Sequence, residues 1–329
     1  MKAVITGATG LLGGNLAREL IARDVEVVAT RRPSSRIDHL GDAAIMWMEA
    51  GLDSHERLAG VFAGADVVFH CAAQVSTLRK ASPSMIRANV DSTRHVIDAV
   101  RAAGVPRLVH CSSTVACALS TDGKPVTEDR PWNFDTFGLA DGYTITKRKS
   151  EELVAEAARA GLDAVVVNPG YMFGPYDARP SSGRLIVDVV KGKVPGHTDG
   201  RNCFADVRDV ACGMIGAWQR GRSGERYILG GHNLSYREIM HTIAEIAGVR
   251  PPRFAVPRPI ASALGWFGEA VQAVSKREAF INITRVRYGY CRDFIFSSDK
   301  AMRELDYQIR PIEESIADAI DWFREHGMI

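Results

Sequence analysis

A tyrosine and a lysine four positions apart, Tyr143 and Lys147, are the residues of this sequence best suited to acid–base chemistry. They begin a stretch with a helical pattern, and side chains four positions apart on a helix share one face. An unperturbed phenol has a pKa of about 10 and is a poor acid–base catalyst at neutral pH. A cation held nearby lowers that pKa, so we expect Tyr143 to exchange a proton with an alcohol or carbonyl oxygen.

Three hydroxyl side chains, Ser112, Ser113 and Thr114, lie where the apolar run 107–112 ends. We expect this run to form a strand, which would place the hydroxyls at the edge of a sheet, where they could orient a substrate oxygen. A Tyr-x-x-x-Lys pair alone is common on helices. The hydroxyls therefore favour a reactive site over an ordinary helix face, and the residues by themselves leave open which of the three acts.

The stretch 1–16, MKAVITGATGLLGGNL, predicts how a cofactor is held. A β-branched run ends in Gly7, further glycines follow at Gly10, Gly13 and Gly14, and a helical pattern then begins. Glycines allow a backbone turn to approach a pyrophosphate, and a helix N-terminus offers it free N–H groups. The alternative is an ordinary tight turn between a strand and a helix.

Basic residues follow the second predicted strand, at Arg31, Arg32 and Arg36, and no acid stands at its end. Dinucleotide folds that prefer NAD usually place Asp or Glu there, whereas basic residues accept the 2′-phosphate of NADP. A guanidinium matches a phosphate dianion well. We therefore expect NADP (NADPH) to be preferred and NAD to be possible; the alternative is a solvated basic loop.

Composition narrows the class of protein. The chain has 329 residues, 46% of them hydrophobic, and a net charge of only +2. This balance does not indicate a nucleic-acid partner, and no stretch is long enough to span a membrane. Six cysteines show neither CxxC pairs nor metal-ligand spacing, so we expect reduced thiols and no metal site. With no leader sequence recognised, we expect a cytoplasmic protein.

Short apolar runs alternate with helical patterns through the first half of the chain. The runs lie at 3–5, 25–29, 45–48, 67–70, 107–112 and 164–168, with helices at 92–103 and 143–160. Runs that are apolar throughout are typical of parallel strands covered on both faces. The sequence therefore predicts an α/β fold with a doubly wound parallel sheet.

The composition of the sequence changes after position 168, where Gly, Pro and Arg become frequent. We expect residues 1–168 and about 204–229 to form the dinucleotide-binding domain. About 169–203 and 230–329 would form a smaller α/β domain over the carboxyl edge of the sheet, with a closing helix at 311–325. Ligands bind at that edge in such folds.

The segment Pro259–Val274 has a helical stripe of large apolar residues. A helix packed in the core is the simpler interpretation. A lid over an apolar substrate, or a surface that touches lipid, is the alternative. The stripe comprises Ile260, Leu264, Phe267, Val271 and Val274.

Taken together, these motifs resemble the extended short-chain dehydrogenases/reductases, and the resemblance covers nearly the whole chain. Positions beyond 200 are most similar to the dihydroflavonol-4-reductase-like branch, which includes proteins described as hopanoid-associated sugar epimerases. The matching motifs are TGxxGxxG at 6–13, FHxAA at 69–73, NVxxT at 89–93, the serines after the fifth strand, YxxxK at 143–147, NPG at 168–170 and FGP at 173–175.

The resemblance implies a role for each matching residue. Tyr143 would be the general acid/base, Lys147 would bind the nicotinamide ribose and tune Tyr143, and Ser113 would bind the reacting oxygen. Ser112 and Thr114 are the alternatives to Ser113. Asn89 would be a buried scaffold residue. Positions expected to hold the cofactor are Gly7, Thr9, Gly10, Leu11, Leu12, Gly13, Arg31, Arg32, Arg36, Leu52, Ala72, Ala73, Lys147 and Pro169.

The substrate side departs from the family pattern at several positions. Gly51 stands where an acid often precedes Leu52, so we expect the backbone at Leu52 to recognise adenine. Asn168 replaces the usual arginine before Pro169. Expected substrate contacts are Gln74, Ser113, Tyr143, Tyr171 and Phe204; further candidates for an apolar wall are Trp132, Phe134, Phe137 and Met172.

The leading hypothesis is an NADP-dependent oxidoreductase that interconverts a carbonyl and an alcohol on a small molecule, which the apolar wall suggests is bulky and largely apolar. A sugar or sugar-nucleotide epimerase with tightly held NAD(P) is the first alternative. A non-catalytic NADP-binding sensor is the second. The resemblance also implies a homodimer through the helices 92–103 and 147–160.

Overall fold

A seven-stranded parallel sheet forms the centre of the computed structural model, which describes residues 1–275 and 281–329. Its strand order is β10-β6-β5-β4-β1-β2-β3, and the crossover to both sides of β1 makes it doubly wound. The predicted fold class is confirmed. The strands are β1 (Lys2–Thr6), β2 (Glu26–Arg31), β3 (Ile45–Glu49), β4 (Val67–His70), β5 (Leu108–Cys111), β6 (Ala164–Pro169) and β10 (Arg226–Leu229).

Helices cover both faces of this sheet. One apolar core contains Leu16 of α1 and Met214 of α7, and the other contains Phe62 of α2, Val96 of α4 and Val154 of α5. The helices are α1 (Leu11–Ile21), α2 (His55–Phe62), α3 (Pro83–Ile86), α4 (Ser92–Ala102), α5 (Gly142–Arg159), α6 (Arg184–Val190), α7 (Val207–Arg220), α8 (Tyr236–Ala247), α9 (Arg258–Ser275), α10 (Ile283–Tyr290), α11 (Asp299–Leu305) and α12 (Ile312–Glu325).

The long helix α5 carries the tyrosine and the lysine, and its start is set by local chemistry. The Asp141 carboxylate accepts a hydrogen bond from the Thr144 N–H at 2.8 Å, which satisfies one of the free donors of the first turn. The helix begins at Gly142, one residue before the predicted start, and ends at Arg159, one residue before the predicted end. Tyr143 therefore lies in its first turn.

Smaller sheets lie beyond the carboxyl edge of the central sheet. β7 (Tyr171–Phe173), β9 (Arg201–Asp206) and β11 (His232–Ser235) form one sheet in the order β11-β9-β7. Helices α6, α8 and α12 pack with it around a separate apolar core. A second pair of strands, β8 (Gly196–His197) and β12 (Phe254–Ala255), is parallel.

The division into two domains stays a prediction, and two elements bear on its boundaries. The expected boundary at about 204 falls inside β9, which pairs with β7 and β11. Ala301 and Leu305 of α11, expected in the smaller domain, are buried in the same core as β1 and α1. The C-terminal third therefore also contributes to the core of the central sheet.

The simpler interpretation of α9, a helix whose apolar stripe packs in the core, is wrong. Ile260, Leu264, Phe267 and Val271 are 56%, 48%, 69% and 47% exposed. The buried side of the helix is instead its small residues, Ala261 and Gly265, which pack on α10. The Val274 side chain lies outside the described part of the structure. None of the described helices is long and apolar enough to cross a membrane.

Candidate active site

The turn after β1 is closed so tightly that two of its glycines cannot carry a side chain. Gly7 has a φ of +83°, and a Cβ there would lie 2.6 Å from the Ala72 nitrogen. A Cβ on Gly13 would lie 2.4 Å from the Gly7 carbonyl oxygen. The backbone of the turn consequently lies against the loop that follows β4. Gly7 thus permits the tight turn and Gly13 the close packing of α1 on it, two features of a dinucleotide-binding turn.

The N-terminus of α1 points its first N–H groups at the same turn. Its N-cap is Gly10, which has no side chain to occupy these donors. A phosphate group is therefore a suitable partner for them. Leu11 and Leu12 bury their side chains in the core, so any contact they make with a cofactor would use the backbone. The residues present fit a dinucleotide.

The three arginines at and after the end of β2 differ in whether their guanidinium groups are already paired. Arg31 lies beside Glu49 in the register of β2 and β3 and donates to its carboxylate at 2.7 Å. Arg36 lies 3.4 Å from Asp38, and Arg32 is exposed. Sequence reasoning missed Glu49, because the end of the third strand comes alongside the end of the second only in the folded sheet.

Leu52, the position expected to recognise adenine, has a backbone carbonyl that is already hydrogen-bonded. The Leu52 carbonyl lies 2.9 Å from the Nδ1 atom of His95. Backbone recognition at Leu52 would therefore depend on its N–H. Asp53 is exposed and lies 3.7 Å from Arg57, so its carboxylate is on the surface beside this position.

Lys147 is buried, and its ammonium donates to the Cys111 carbonyl at 2.7 Å. Desolvation lowers the pKa of this ammonium. The expected lowering of the Tyr143 pKa is absent: burial raises this pKa, while the nearby Ser113 hydroxyl acts in the opposite direction. The reason is that burial destabilises the charged phenolate by more than the neighbouring groups stabilise it.

The structure distinguishes among the three hydroxyls at the end of β5. Ser113 is partly exposed and lies close enough to the Tyr143 phenol to lower its pKa. Its Oγ also accepts from the Val115 N–H at 3.4 Å, which caps a short turn of helix. Ser112 and Thr114 are buried, and the Ser112 Oγ makes no hydrogen bond within the described residues. Ser113 is thus the hydroxyl that lies beside the tyrosine.

A buried polar network supports Ser113 from behind, and sequence reasoning missed it. The Asn168 amide donates to the Ser113 carbonyl at 3.0 Å and to the Glu151 carboxylate at 2.8 Å. Arg226 of β10 donates to the other oxygen of Glu151 at 3.1 Å. Asn168 stands where the family usually has arginine, and here the guanidinium comes from a neighbouring strand. The spacing of Glu151, one turn after Lys147, was the available signal.

The expected substrate contacts fall into different environments. Asn89 is buried and holds the Gln74 backbone through bonds of 2.7 and 3.0 Å, as expected of a scaffold residue. Tyr171 is partly buried and donates to the Ser182 carbonyl at 3.2 Å. The expectation for Phe204 is wrong, because its ring is fully buried and stacks on Phe173 in the core of the smaller sheet. Phe134 is also fully buried.

Two buried histidines lie beneath the site. The His70 ring bonds to Thr6 and Thr93 at 2.7 and 3.1 Å and lies 5.3 Å from the His110 ring. Neither ring nitrogen of His110 makes a hydrogen bond within the described residues. Desolvation, with a smaller contribution from Lys147, lowers the pKa of His70 to about 3 and that of His110 well below its usual range.

Acid should therefore destabilise the protein through these histidines. Between pH 6.5 and about 3 the unfolded chain takes up a proton that His70 cannot accept when folded, and His110 acts in the same direction. His70 alone should remove about 2 kcal/mol of the free energy of unfolding between about pH 7 and pH 5. His110→Phe should reduce the total loss between these pH values, measured by urea denaturation at both. The exposed His55→Gln is the control, and an unchanged loss in His110→Phe would contradict the assignment.

Comparisons with known proteins agree with this geometry. Residues 3–230 match the NAD dependent epimerase/dehydratase family. The chain is 32% identical to a putative dihydroflavonol 4-reductase of Synechocystis, covering 99% of this chain and 95% of the relative. It is also 32% identical to sterol demethylase protein B of Methylococcus capsulatus, covering 100% of both.

A solved structure is similar over the same length. It is PA4631, described as a nucleoside-diphosphate-sugar epimerase from Pseudomonas aeruginosa, with 28% identity and a TM-score of 0.82. The alignment covers 100% of this chain and 99% of that one. The glycine cradle, the parallel sheet and these matches agree, and the chain belongs to the NAD dependent epimerase/dehydratase family.

Proposed function

We propose that this protein is an NADPH-dependent reductase that converts the carbonyl group of a small molecule into an alcohol. The observation that carries the proposal is that Ser113 and Tyr143 lie next to each other, beside the buried Lys147. These side chains end β5 and begin α5, at the carboxyl edge where ligands bind in such sheets. The relatives named as a dihydroflavonol 4-reductase and a sterol demethylase protein support reduction of a bulky, largely apolar substrate.

In the proposed reaction each part of the site has a separate role. The dinucleotide, when bound at Gly7, Gly10 and Gly13, supplies the hydride. The Ser113 hydroxyl donates to the carbonyl oxygen and orients it. The Tyr143 phenol, which is protonated at neutral pH, holds the proton that this oxygen receives as negative charge develops on it. The Lys147 ammonium is held in place by its hydrogen bond to the Cys111 carbonyl and provides a positive charge near Tyr143.

A direct assay tests this function. The purified protein should oxidise NADPH when supplied with aromatic and alicyclic ketones or aldehydes, with one alcohol formed for each NADPH consumed. Absorbance of NADPH and chromatography of the product measure the two quantities. No consumption across such a panel, with the cofactor still bound, would contradict the proposal and favour a non-catalytic binding protein.

An epimerase is the second candidate, and two observations favour it. PA4631 is described as a sugar epimerase, and Glu49 places a carboxylate at the edge where NAD-preferring folds bind the ribose hydroxyls. An epimerase would leave the total amount of cofactor unchanged and would purify with NAD bound. Interconversion of UDP-sugars without net NADPH oxidation, followed by NMR, distinguishes it from the reductase.

We propose that Arg32 contributes most to NADP preference, because Arg31 is already paired with Glu49. Arg32→Ala should lower the ratio of kcat/KM for NADPH over NADH by about 10–100-fold, the value of one charged hydrogen bond. Glu49→Gln should raise this ratio, because it releases Arg31. Arg23, which pairs with Glu19, is the control. A ratio that Arg32→Ala leaves unchanged would remove Arg32 from the 2′-phosphate site.

We also propose that the protein forms a homodimer through α4 and α5, as the family resemblance implies. These helices pack against each other and on the sheet, and their outer faces carry exposed charged residues such as Arg94 and Glu152. Light scattering of the purified protein should give twice the chain mass. Reversing the charge at both positions should shift the mass toward the monomer, whereas a monomeric wild-type protein would contradict the proposal.

A further inference from the structure

The exposed face of α9 is an apolar feature of the described surface that the site does not account for. Leu264, Phe267 and Val271 share one stripe of the helix, and Trp266, which is 53% exposed, lies to the side of that stripe. Four large apolar side chains therefore face away from the protein within eight residues. Scattered apolar residues need no explanation, but a contiguous set of this kind marks an interaction surface.

The opposite side of α9 packs against the protein. The exposure of the apolar face is therefore not due to a lack of packing. Ala261 is buried against Ile283 and Val286 of α10. A Cβ on Gly265 would lie 3.2 Å from the Ile283 backbone, which shows how closely the two helices approach. Small residues thus face the protein and large apolar residues face outward. This is the reverse of an ordinary surface helix.

The net charge of the segment that contains this face indicates the chemistry of its partner. Residues 250–275 and 281–290 contain five arginines and a single acid, Glu269, which gives +4, whereas the whole chain carries only +2. Arg258 begins α9, whereas Arg285 and Arg287 of α10 bond to Thr77 and to the Gly138 carbonyl; the other two are Arg250 and Arg253. An apolar helix face within a basic segment is typical of helices that lie in the surface of an anionic bilayer. Trp is also frequent at that depth.

We propose that α9 docks the protein on the surface of an anionic lipid bilayer. The helix has 18 residues and would lie in the plane of the headgroups, with the stripe at Leu264, Phe267 and Val271 inserted. Because α10 packs on its other side, the rest of the molecule stays in water.

This orientation also bears on the site, and this step rests on the proposed function. A cavity of about 340 Å³ lies between Glu269 of α9 and the loop 77–80. The Leu78 carbonyl of that loop accepts from the Gly142 N–H at 3.1 Å, one residue before Tyr143. Docking through α9 would therefore hold this cavity and the start of α5 near the lipid surface, where a largely apolar substrate dissolves.

Flotation of the full chain with vesicles tests the docking without any chemistry. The protein should float with vesicles of phosphatidylcholine and phosphatidylglycerol in equal amounts, and less with phosphatidylcholine alone or at high salt. Phe267→Glu should lower the partition coefficient by about 10–100-fold, because it removes the most exposed apolar anchor and adds a repelled charge. Tyr143→Phe should float like the wild type, which separates this result from a failure of the proposed reaction.

Controls distinguish the bilayer from other occupants. Met302→Glu changes an exposed apolar residue of α11 in the same way and should have no effect on flotation. Circular dichroism should show that both glutamate variants are folded. A wild-type protein that floats with neither vesicle, or an equal loss in Met302→Glu, would overturn the proposal. So would a fall in mass by light scattering confined to Phe267→Glu, which would identify the face as a contact between two copies.

Discussion

Replacing Tyr143 by phenylalanine is expected to lower kcat for carbonyl reduction by about 10²–10⁴-fold, the usual contribution of a general acid. The phenol beside Ser113 is the proposed proton donor, and phenylalanine keeps the ring while removing the proton. The Kd for NADPH should change little, because the glycine turn and the arginines are untouched. Steady-state kinetics measure the first quantity and fluorescence titration the second.

A matched variant controls for the loss of a phenol elsewhere. The Tyr227 hydroxyl bonds to Glu304 and to the Arg222 N–H, away from Ser113 and Lys147. Tyr227→Phe should therefore keep full turnover, with at most a small loss of stability. If Tyr143→Phe retained more than about a tenth of the activity, a fall too small for loss of a general acid, Tyr143 would not be the proton donor.

Gly7→Ala should have the largest effect on cofactor binding. Its φ of +83° is unfavourable for alanine by about 1–2 kcal/mol, and the new Cβ would lie 2.6 Å from the Ala72 nitrogen. The turn must shift away from the loop after β4, which misplaces the N–H groups of α1. We expect the Kd for NADPH to rise by about 10–100-fold, the loss of one charged hydrogen bond, and the protein to unfold at lower urea.

Gly60 provides the control for this substitution. It lies in the last turn of α2, and a Cβ there would meet no atom within 4 Å. Gly60→Ala should therefore leave cofactor binding unchanged and stabilise the helix by up to about 1 kcal/mol. Equal Kd values for Gly7→Ala and Gly60→Ala would mean that the cradle does not depend on the close approach of Gly7 to Ala72.

The fold was predictable, and the candidate reactive side chains could be selected, because their signals are local. The apolar runs, the glycines at 7, 10 and 13, and the spacing of Tyr143 and Lys147 lie within short stretches of chain. Backbone sterics and helix periodicity act over the same distance. The family membership follows from several such stretches in order. These features were therefore determined by the sequence alone.

Contacts between distant segments were decided by the tertiary structure. Glu49 reaches Arg31 across two strands, and Arg226 reaches Glu151 from a strand 75 positions away. The burial that raises the Tyr143 pKa and lowers that of Lys147 is a property of the packed site. Charge pairing and desolvation depend on distances in space, which no local pattern carries.

Helix α9 shows the same distinction most plainly. The amino-acid sequence determined that Ile260, Leu264, Phe267 and Val271 share one face, because a helix repeats every 3.6 residues. It did not determine which way that face points. The close packing of Ala261 and Gly265 on α10 turns the large residues outward, since only the small side allows the two helices to approach. Periodicity defines a face, and tertiary packing decides whether that face meets the core or the surroundings.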